Sequence, residues 1–471
     1  MQSTFLERSP ENSYSFLTWF IRPRIQTPMI FEKVDPPQIS LNYSTMTVKS
    51  SSSASTWFIL SALGTASIYI VFIFYSLNPF DLNTTSSLII NSDTDYSVAE
   101  KDNASSVIIN PDYNVTEKNK CDLFKGHWVP DPTRPLYTNL SCPTLPDSKN
   151  CAKYGRKDSD YLNWRWKPQD CDLPRFDSNI FLSILRSKRL AFVGDSVARN
   201  HMESLLCLLS QDQTPLEWWR GFEDRDITFY FPSYDFTLMV FWANTLVLAN
   251  ERVINGSKTG VIDLHLDKVD HYWAILLPAL DYLIISDAHW FFRKSYLYEG
   301  GQLIGCIYCD ESNVTQLNVP FAIGKAFRST LEYIDECEQC NGLVTLLRTF
   351  APSHFENGFW NTGGYCNRTS PYSEEQVNFD GHETELRNSQ VKEIERIRNI
   401  SEKRGNNKRY EIVDITRAMI MRPDGHPGSY WNNKNAHGHD DCAHWCLPGP
   451  IDVWNDLLMA VLQKIDGSSI G

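Results

Sequence analysis

The chain holds 12 cysteines, yet none precedes Cys121. No lysine or arginine falls between Lys49 and Lys101. Basic charge is short throughout, with 44 Lys and Arg against 57 Asp and Glu, a formal net of −13. That deficit excludes nucleic acid as the main partner, because phosphate binding needs a basic footprint. It suits a neutral or cationic ligand. There is no glycine-rich loop of the kind that cradles phosphates, so no coenzyme A site is legible. No internal repeat is present, which argues against a repeat architecture. What the chain does have is aromatic side chains, 13% of residues with 14 Trp among them. Most belong in a core, and the remainder suit a sugar-binding cleft, where flat rings stack on pyranose faces.

The gap in basic residues encloses an apolar run without charge from Trp57 to Leu77. At about 1.5 Å per residue such a run is long enough to span the hydrocarbon layer as a helix. It begins too late for an ordinary signal peptide. Arg8, Arg22, Arg24, Lys33 and Lys49 precede it. The positive-inside rule then places the N-terminus in the cytosol and everything beyond about residue 78 in a lumen, as in a single-pass type II protein. Two further patterns agree. All the cysteines follow the run, as in an oxidising compartment. Glycosylation sequons also follow it, at Asn83, Asn103, Asn114, Asn139, Asn255, Asn313, Asn367 and Asn399. One more, at Asn42, lies before the span and is expected to stay unused.

The expected organisation is a cytosolic tail (1–55), a transmembrane signal anchor (56–77) and a lumenal stem rich in Asn, Ser, Thr and Asp (78–118). A loop-rich, disulfide-stapled module (119–177) follows, and then an α/β domain (178–468). In that last part the apolar run Leu190–Val193 reads as a buried strand, and Val197–Leu209 reads as a helix with one apolar face. Leu238–Val247, Tyr282–Ile285, Leu343–Leu347 and Tyr410–Ile415 read as further strands. A charged helix is expected near Glu383–Lys403. Strands alternating with helices imply a central parallel sheet covered on both faces, with ligands at the carboxyl ends of its strands.

Gly194-Asp195-Ser196 falls between the first of these strands and its helix. That turn exposes a Ser hydroxyl at the sheet edge and sets the Ser N–H at a helix N-terminus, where donors and dipole favour an oxyanion. By itself the tripeptide also fits a plain helix cap. Near the other end, Asp441 stands three residues before His444. The carboxylate can then accept from one ring nitrogen while the other takes a proton from a Ser brought close by the fold. The plainer alternative is a capping Asp beside an unrelated surface His.

These residues carry a resemblance. The stretch Cys121-Asp122-Leu123-Phe124-Lys125-Gly126-His127-Trp128-Val129, with Trp164-Arg165-Trp166-Lys167-Pro168 and Leu173-Pro174-Arg175-Phe176, resembles the Cys-rich N-terminal module of the plant trichome birefringence-like family. The segment Asp441 to Asn455, DCAHWCLPGPIDVWN, resembles that family's long C-terminal signature. Members are wall-polysaccharide O-acetyltransferases with a PC-esterase domain similar to the GDSL/SGNH hydrolases. The resemblance implies a three-layer α/β/α fold. It also implies Ser196 as nucleophile, His444 as general base and then acid, and Asp441 as the residue that orients His444. Gly194, Asp195, Cys442, Trp445, Cys446 and Asn455 belong to the matching motifs. Arg199, Asn200, His289 and His426 match the family's text and are candidates for oxyanion or substrate positioning. One departure stands out: Asp287-Ala288 precedes His289-Trp290 where relatives carry a Gly before the His-Trp pair. The Ala methyl is expected to crowd the active site if that backbone must come close.

The implied reaction is transfer of an acetyl group through an acetyl-serine to a polysaccharide hydroxyl, in the Golgi lumen. Phe231–Thr237, Ile304–Cys309 and Phe350–Gly358 resemble most the branch acting on xyloglucan side chains; a neighbouring branch acts on mannan. The same triad with water as acceptor is an esterase. A chain that keeps the fold without turnover is a polysaccharide-binding protein. An acetyl donor is required, and no tightly bound cofactor is expected. Neither the donor nor the oligomeric state is written in the sequence. Cys306-x-x-Cys309, Cys337-x-x-Cys340 and His437-Gly438-His439-Asp440 have zinc-like spacing, but behind a membrane span paired cysteines are expected to be disulfides, so no metal is assigned.

Overall fold

The structure is a computed structural model that describes residues 121–432 and 439–467. The tail, the apolar run and the stem lie outside the described residues, as do Asn83, Asn103, Asn114 and His437. Among the described residues no helix is long and apolar enough to cross a membrane.

The run Leu190–Val193 forms the buried middle of strand β3 (Arg189–Gly194). Around it the central sheet has seven strands. Their order is β13 (Arg409–Val413), β12 (Val344–Arg348), β9 (Tyr282–Ser286), β3, β6 (Phe236–Trp242), β5 (Ile227–Phe231) and β4 (Leu216–Arg220). From β13 to β6 the strands run parallel. The two at the β4 edge are antiparallel, so the sheet is mixed rather than wholly parallel. The cause is local. Pro232–Tyr234 forms a tight turn ending at Asp235, in the left-handed region at φ 49°. That turn folds β5 directly back on β6 without a crossover helix.

The expected strand Leu238–Val247 is also divided. β6 stops at Trp242, and the chain turns at Leu246, φ 61°, into β7 (Val247–Ile254). β7 belongs to a second sheet of order β11 (Gln302–Ile307), β10 (Ser295–Glu299), β8 (Ser257–Val269) and β7, which the sequence reading did not anticipate. Its β7–β8 hairpin turns on Asn255 and Gly256, both at positive φ (51° and 79°). Asn-Gly is the favoured pair for such a turn.

Alternate residues of the central strands face opposite layers. Leu190, Phe192, Leu238, Val240 and Ile284 meet helices α1 (Ser178–Ile184), α2 (Ser196–Leu209) and α5 (Val453–Asp466). Ala191, Val193, Met239, Phe241, Leu283 and Ile285 meet α3 (Val319–Glu336) and α4 (His382–Arg404). The three-layer α/β/α arrangement is therefore present.

The Cys-rich segment is built on a hairpin of β1 (Gly126–Pro130) with β2 (Trp164–Pro168). Trp128 and Trp166 meet edge to face at 5.8 Å and share the α2/α5 core. Trp128 Nε1 donates to the Ala418 carbonyl at 2.8 Å. Cys121–Cys171 closes this segment, while Cys142–Cys207 and Cys151–Cys446 bind it to the α/β part. Cys306–Cys309, Cys337–Cys340 and Cys366–Cys442 are also disulfides, which removes the zinc reading of the first two pairs. Of the described sequon residues, Asn255, Asn313, Asn367 and Asn399 are exposed and Asn139 is half-buried.

Candidate active site

β3 ends at Gly194 with φ 156°. A Cβ there would lie 1.8 Å from the Ser286 carbonyl oxygen on β9, so no other residue fits. Asp195 caps α2. Its Oδ1 accepts from the N–H of Val197 at 2.9 Å and of Ala198 at 3.3 Å. Its Oδ2 accepts from the N–H of His289 at 3.2 Å and of Ala288 at 3.5 Å. One carboxylate thus joins the start of α2 to the chain leaving β9. Ser196 is the first residue of α2, half-buried at the carboxyl end of the central strand.

His444 and Asp441 arrive on irregular chain. His444 Nε2 lies 2.7 Å from Ser196 Oγ. His444 Nδ1 lies 2.9 and 3.0 Å from the two Asp441 oxygens. Asp441 Oδ1 also accepts from the His444 N–H at 3.0 Å. Lys149, buried, stands 3.8 Å from Asp441 Oδ2. Burial raises the Asp441 pKa, but the charges of His444 and Lys149 and the hydrogen bonds from His444 outweigh it and hold the carboxyl well below the usual range. The segment is clamped on both sides. Cys442 is bonded to Cys366 and Cys446 to Cys151. Asn200, fully buried one turn along α2, accepts from the Trp445 N–H at 2.8 Å and donates to the Trp445 carbonyl at 3.3 Å.

The other candidates divide. His426 does not face Ser196; its Nδ1 is 2.6 Å from the His444 carbonyl oxygen, and its ring stacks on Trp445 at 4.1 Å. Arg199 is engaged by Glu203 at 2.9 Å and by the Asp224 carbonyl. His289 Nε2 is 3.0 Å from the Ala351 carbonyl oxygen, and burial lowers its pKa. Asn455 lies deeper, donating to Ser204 on α2 at 2.9 Å, and takes no place beside Ser196. The feared methyl of Ala288 is buried in the apolar layer on the α3/α4 side, with φ −170°, an extended value open to any residue. Beneath it, burial and then the Asp195 charge push the Asp287 carboxyl well up. Arg348, beside both acids, is pushed down by burial to about 10.

Sequence reasoning missed three of these neighbours. Lys149 sits in loop text with no periodic or motif signal. His354, which touches His426, stood inside a stretch read only for branch resemblance. Arg348 closes a buried strand where a charge is not expected. Among the described residues no cluster of His, Cys, Asp and Glu is arranged to hold a metal.

Comparison with known proteins identifies the family. Residues 173–461 match the model of PC-Esterase, described as the GDSL/SGNH-like acyl-esterase family found in Pmr5 and Cas1p. Residues 119–172 match the PMR5 N-terminal domain. The chain is 54% identical over 405 residues to xyloglucan O-acetyltransferase 4 of Populus trichocarpa, covering 86% of this chain and 91% of that one. It is 52% identical over 349 residues to xyloglucan O-acetyltransferase 2 of Arabidopsis thaliana, covering 74% and 83%. It is 42% identical over 355 residues to protein trichome birefringence-like 20 of Arabidopsis thaliana, covering 74% and 73%. With a strand-turn-helix serine, an imidazole on its hydroxyl, and the family model matched across most of the described residues, this chain belongs to the PC-esterase family of GDSL/SGNH-like proteins.

Proposed function

We propose that the chain transfers an acetyl group from a donor to a sugar hydroxyl of a plant wall polysaccharide, with xyloglucan as the acceptor. The observation that carries the chemistry is the 2.7 Å contact of His444 with Ser196, continued at 2.9 Å to Asp441. Asp441 accepts from Nδ1–H and keeps Nε2 free to take the Ser196 proton. Ser196 Oγ attacks the acetyl carbonyl. The donor's leaving oxygen or sulfur departs with the proton held by His444, and an acetyl-serine forms. A sugar hydroxyl then gives its proton to His444 and attacks that ester, and Ser196 leaves with the proton restored. The Ser196 N–H at the start of α2 is placed to meet the oxyanion.

The acceptor reading is supported by the names of the relatives and by one feature of the surface. Trp218, Trp219 and Phe222 are exposed at the β4 edge, and the Asp224 carbonyl that follows them is bonded to Arg199, one turn from Ser196. Flat rings so placed suit pyranose faces. The apolar run 57–77, cysteines confined to the chain after it and the exposed sequon residues support a type II Golgi enzyme with this domain in the lumen.

The test is transfer by the full chain, given an acetyl donor and either xyloglucan or mannan oligosaccharides, read by mass spectrometry. One acetyl gained by xyloglucan, and lost with Ser196→Ala, is the expected result. Free acetate without modified sugar would make the protein an esterase, and gain on mannan alone would move the acceptor.

A further inference from the structure

Behind the His444 segment, two imidazoles stand in line between two backbone carbonyls. His426 Nδ1 is 2.6 Å from the His444 oxygen. His426 Nε2 is 2.7 Å from His354 Nδ1. His354 Nε2 is 3.0 Å from the Ile420 oxygen. Each of the three contacts needs one N–H to be a hydrogen bond. The carbonyls offer none, and a neutral imidazole carries only one. Two neutral rings therefore supply two protons for three contacts. Whatever tautomers they adopt, one contact would set lone pair against lone pair within hydrogen-bond distance. Three protons on the four ring nitrogens satisfy the whole line.

We propose that His354, half-buried, and His426, buried, form a pair sharing one extra proton, an imidazolium–imidazole unit that positions the catalytic His444 by gripping its backbone carbonyl. The proposal rests on His444 being the general base. Both residues act through His444 and are positioning residues.

The surroundings admit one charge and resist two. Burial opposes a proton on either ring, and His354 opposes one on His426. Taken singly, each ring is therefore pushed downward; the line of contacts binds the proton to the pair. Glu356, Glu383 on α4 and Asp424 face His354 and favour the charge. Asp441 favours it from the far side of His426, and His444 opposes it. Arg156 faces the pair from the Cys-rich segment, donating at 3.0 Å to the His426 carbonyl and at 2.7 Å to that of Asp424. Arg422 is taken up by the Asp424 carboxylate. The His426 ring lies on Trp445, whose backbone is clamped by Asn200. A displacement of that ring is thus passed to the residue next to His444. As pH rises and the shared proton leaves, one contact turns repulsive, the rings part, and His444 loses its register with Ser196.

The experiment is ring-nitrogen NMR of the full chain labelled with nitrogen-15 histidine, titrated beside His354→Phe and His426→Phe to assign the pair, with kcat and KM for transfer measured over the same range. The expected result is three ring N–H groups on the pair at the pH of highest activity, falling to two as pH rises. Over that step kcat should drop roughly 10- to 100-fold with KM unchanged, the scale of a misplaced catalytic group. His354→Phe should lose this alkaline limb, because a neutral His426 can then bond the His444 carbonyl at any pH. Two ring N–H groups at the active pH, or an alkaline limb that survives in His354→Phe, would overturn the proposal. If neither variant folds, nitrogen–nitrogen coupling across the His426 Nε2–His354 Nδ1 contact identifies the pair in the wild type, and its count at two pH values still decides. Full transfer by Ser196→Ala would instead sink the general-base reading and leave the proton count standing.

Discussion

Ser196 and His444 meet at 2.7 Å but are delivered by opposite means. Ser196 stands at the junction of a central strand and a long helix, where the backbone ladders of β3 with β6 and β9 and one capping carboxylate fix it. His444 stands on chain without helix or long strand. It is fixed by partners far away in sequence: a disulfide across 76 residues, another across 295, and Asn200 across 245. Regular backbone positions a group by repeating itself. Irregular backbone must be held at each point by something else, so its accuracy depends on every clamp.

The largest effect separates chemistry from clamping. Ser196→Ala or His444→Ala should leave the fold intact by circular dichroism and lower transfer by roughly 10⁴-fold or more, as for other triads. Retained transfer in either would remove that residue from the chemistry.

The next sets one disulfide against another. Loop entropy assigns about 4–5 kcal/mol to Cys366–Cys442 and about 2 kcal/mol to Cys337–Cys340, which closes only a short turn. Replacing both cysteines of the first pair with Ser should cost more stability than the same change in the second. It should also lower kcat in molecules that remain folded, whereas the second should leave kcat alone. Equal effects on kcat would show that the His444 segment does not depend on its cross-link.

A smaller change sharpens the same point. Asn200→Ala removes both bonds to the Trp445 backbone without touching Ser196 or His444. It should lower kcat roughly 10- to 100-fold at unchanged KM, as expected for a displaced base. A rise in KM alone would assign Asn200 to acceptor binding.

The smallest effect concerns Asp452, which joins the two regions. It accepts from Ser204 on α2 at 2.6 Å, from Tyr137 of the Cys-rich segment at 2.9 Å and from the Gly449 N–H at 3.1 Å. Burial pushes its carboxyl up to about 6. The folded value lies above the unfolded one, so the contribution is full below about 4 and is lost as pH rises through about 6, at most about 3 kcal/mol. Wild-type melting temperature should therefore fall between pH 5 and 7 by more than that of Asp452→Asn. Parallel curves for the two proteins would contradict this.

The same contrast explains what the sequence disclosed. The Ser196 side was legible because a buried apolar run, a glycine and a capping acid are local signals; helix α2 begins one residue before its expected start. The three layers followed from alternating strands and helices. The antiparallel edge and the second sheet were not read, although Asn255-Gly256 announces a hairpin. Around His444 the motif could be recognised but its supports could not. Which cysteine meets Cys442, that Lys149 lies near Asp441, and that His354 touches His426 are all matters of distant chain ends meeting. No periodicity or spacing records them.

The most direct test of the Ser196–His444–Asp441 chemistry is to look for the intermediate. The full chain would be mixed with acetyl donor in the absence of acceptor, quenched in acid, digested and examined by mass spectrometry. One acetyl group is expected on the peptide carrying Ser196, missing in His444→Ala and discharged when xyloglucan oligosaccharide is added. Acetylated sugar formed at full rate with Ser196 never modified would contradict it.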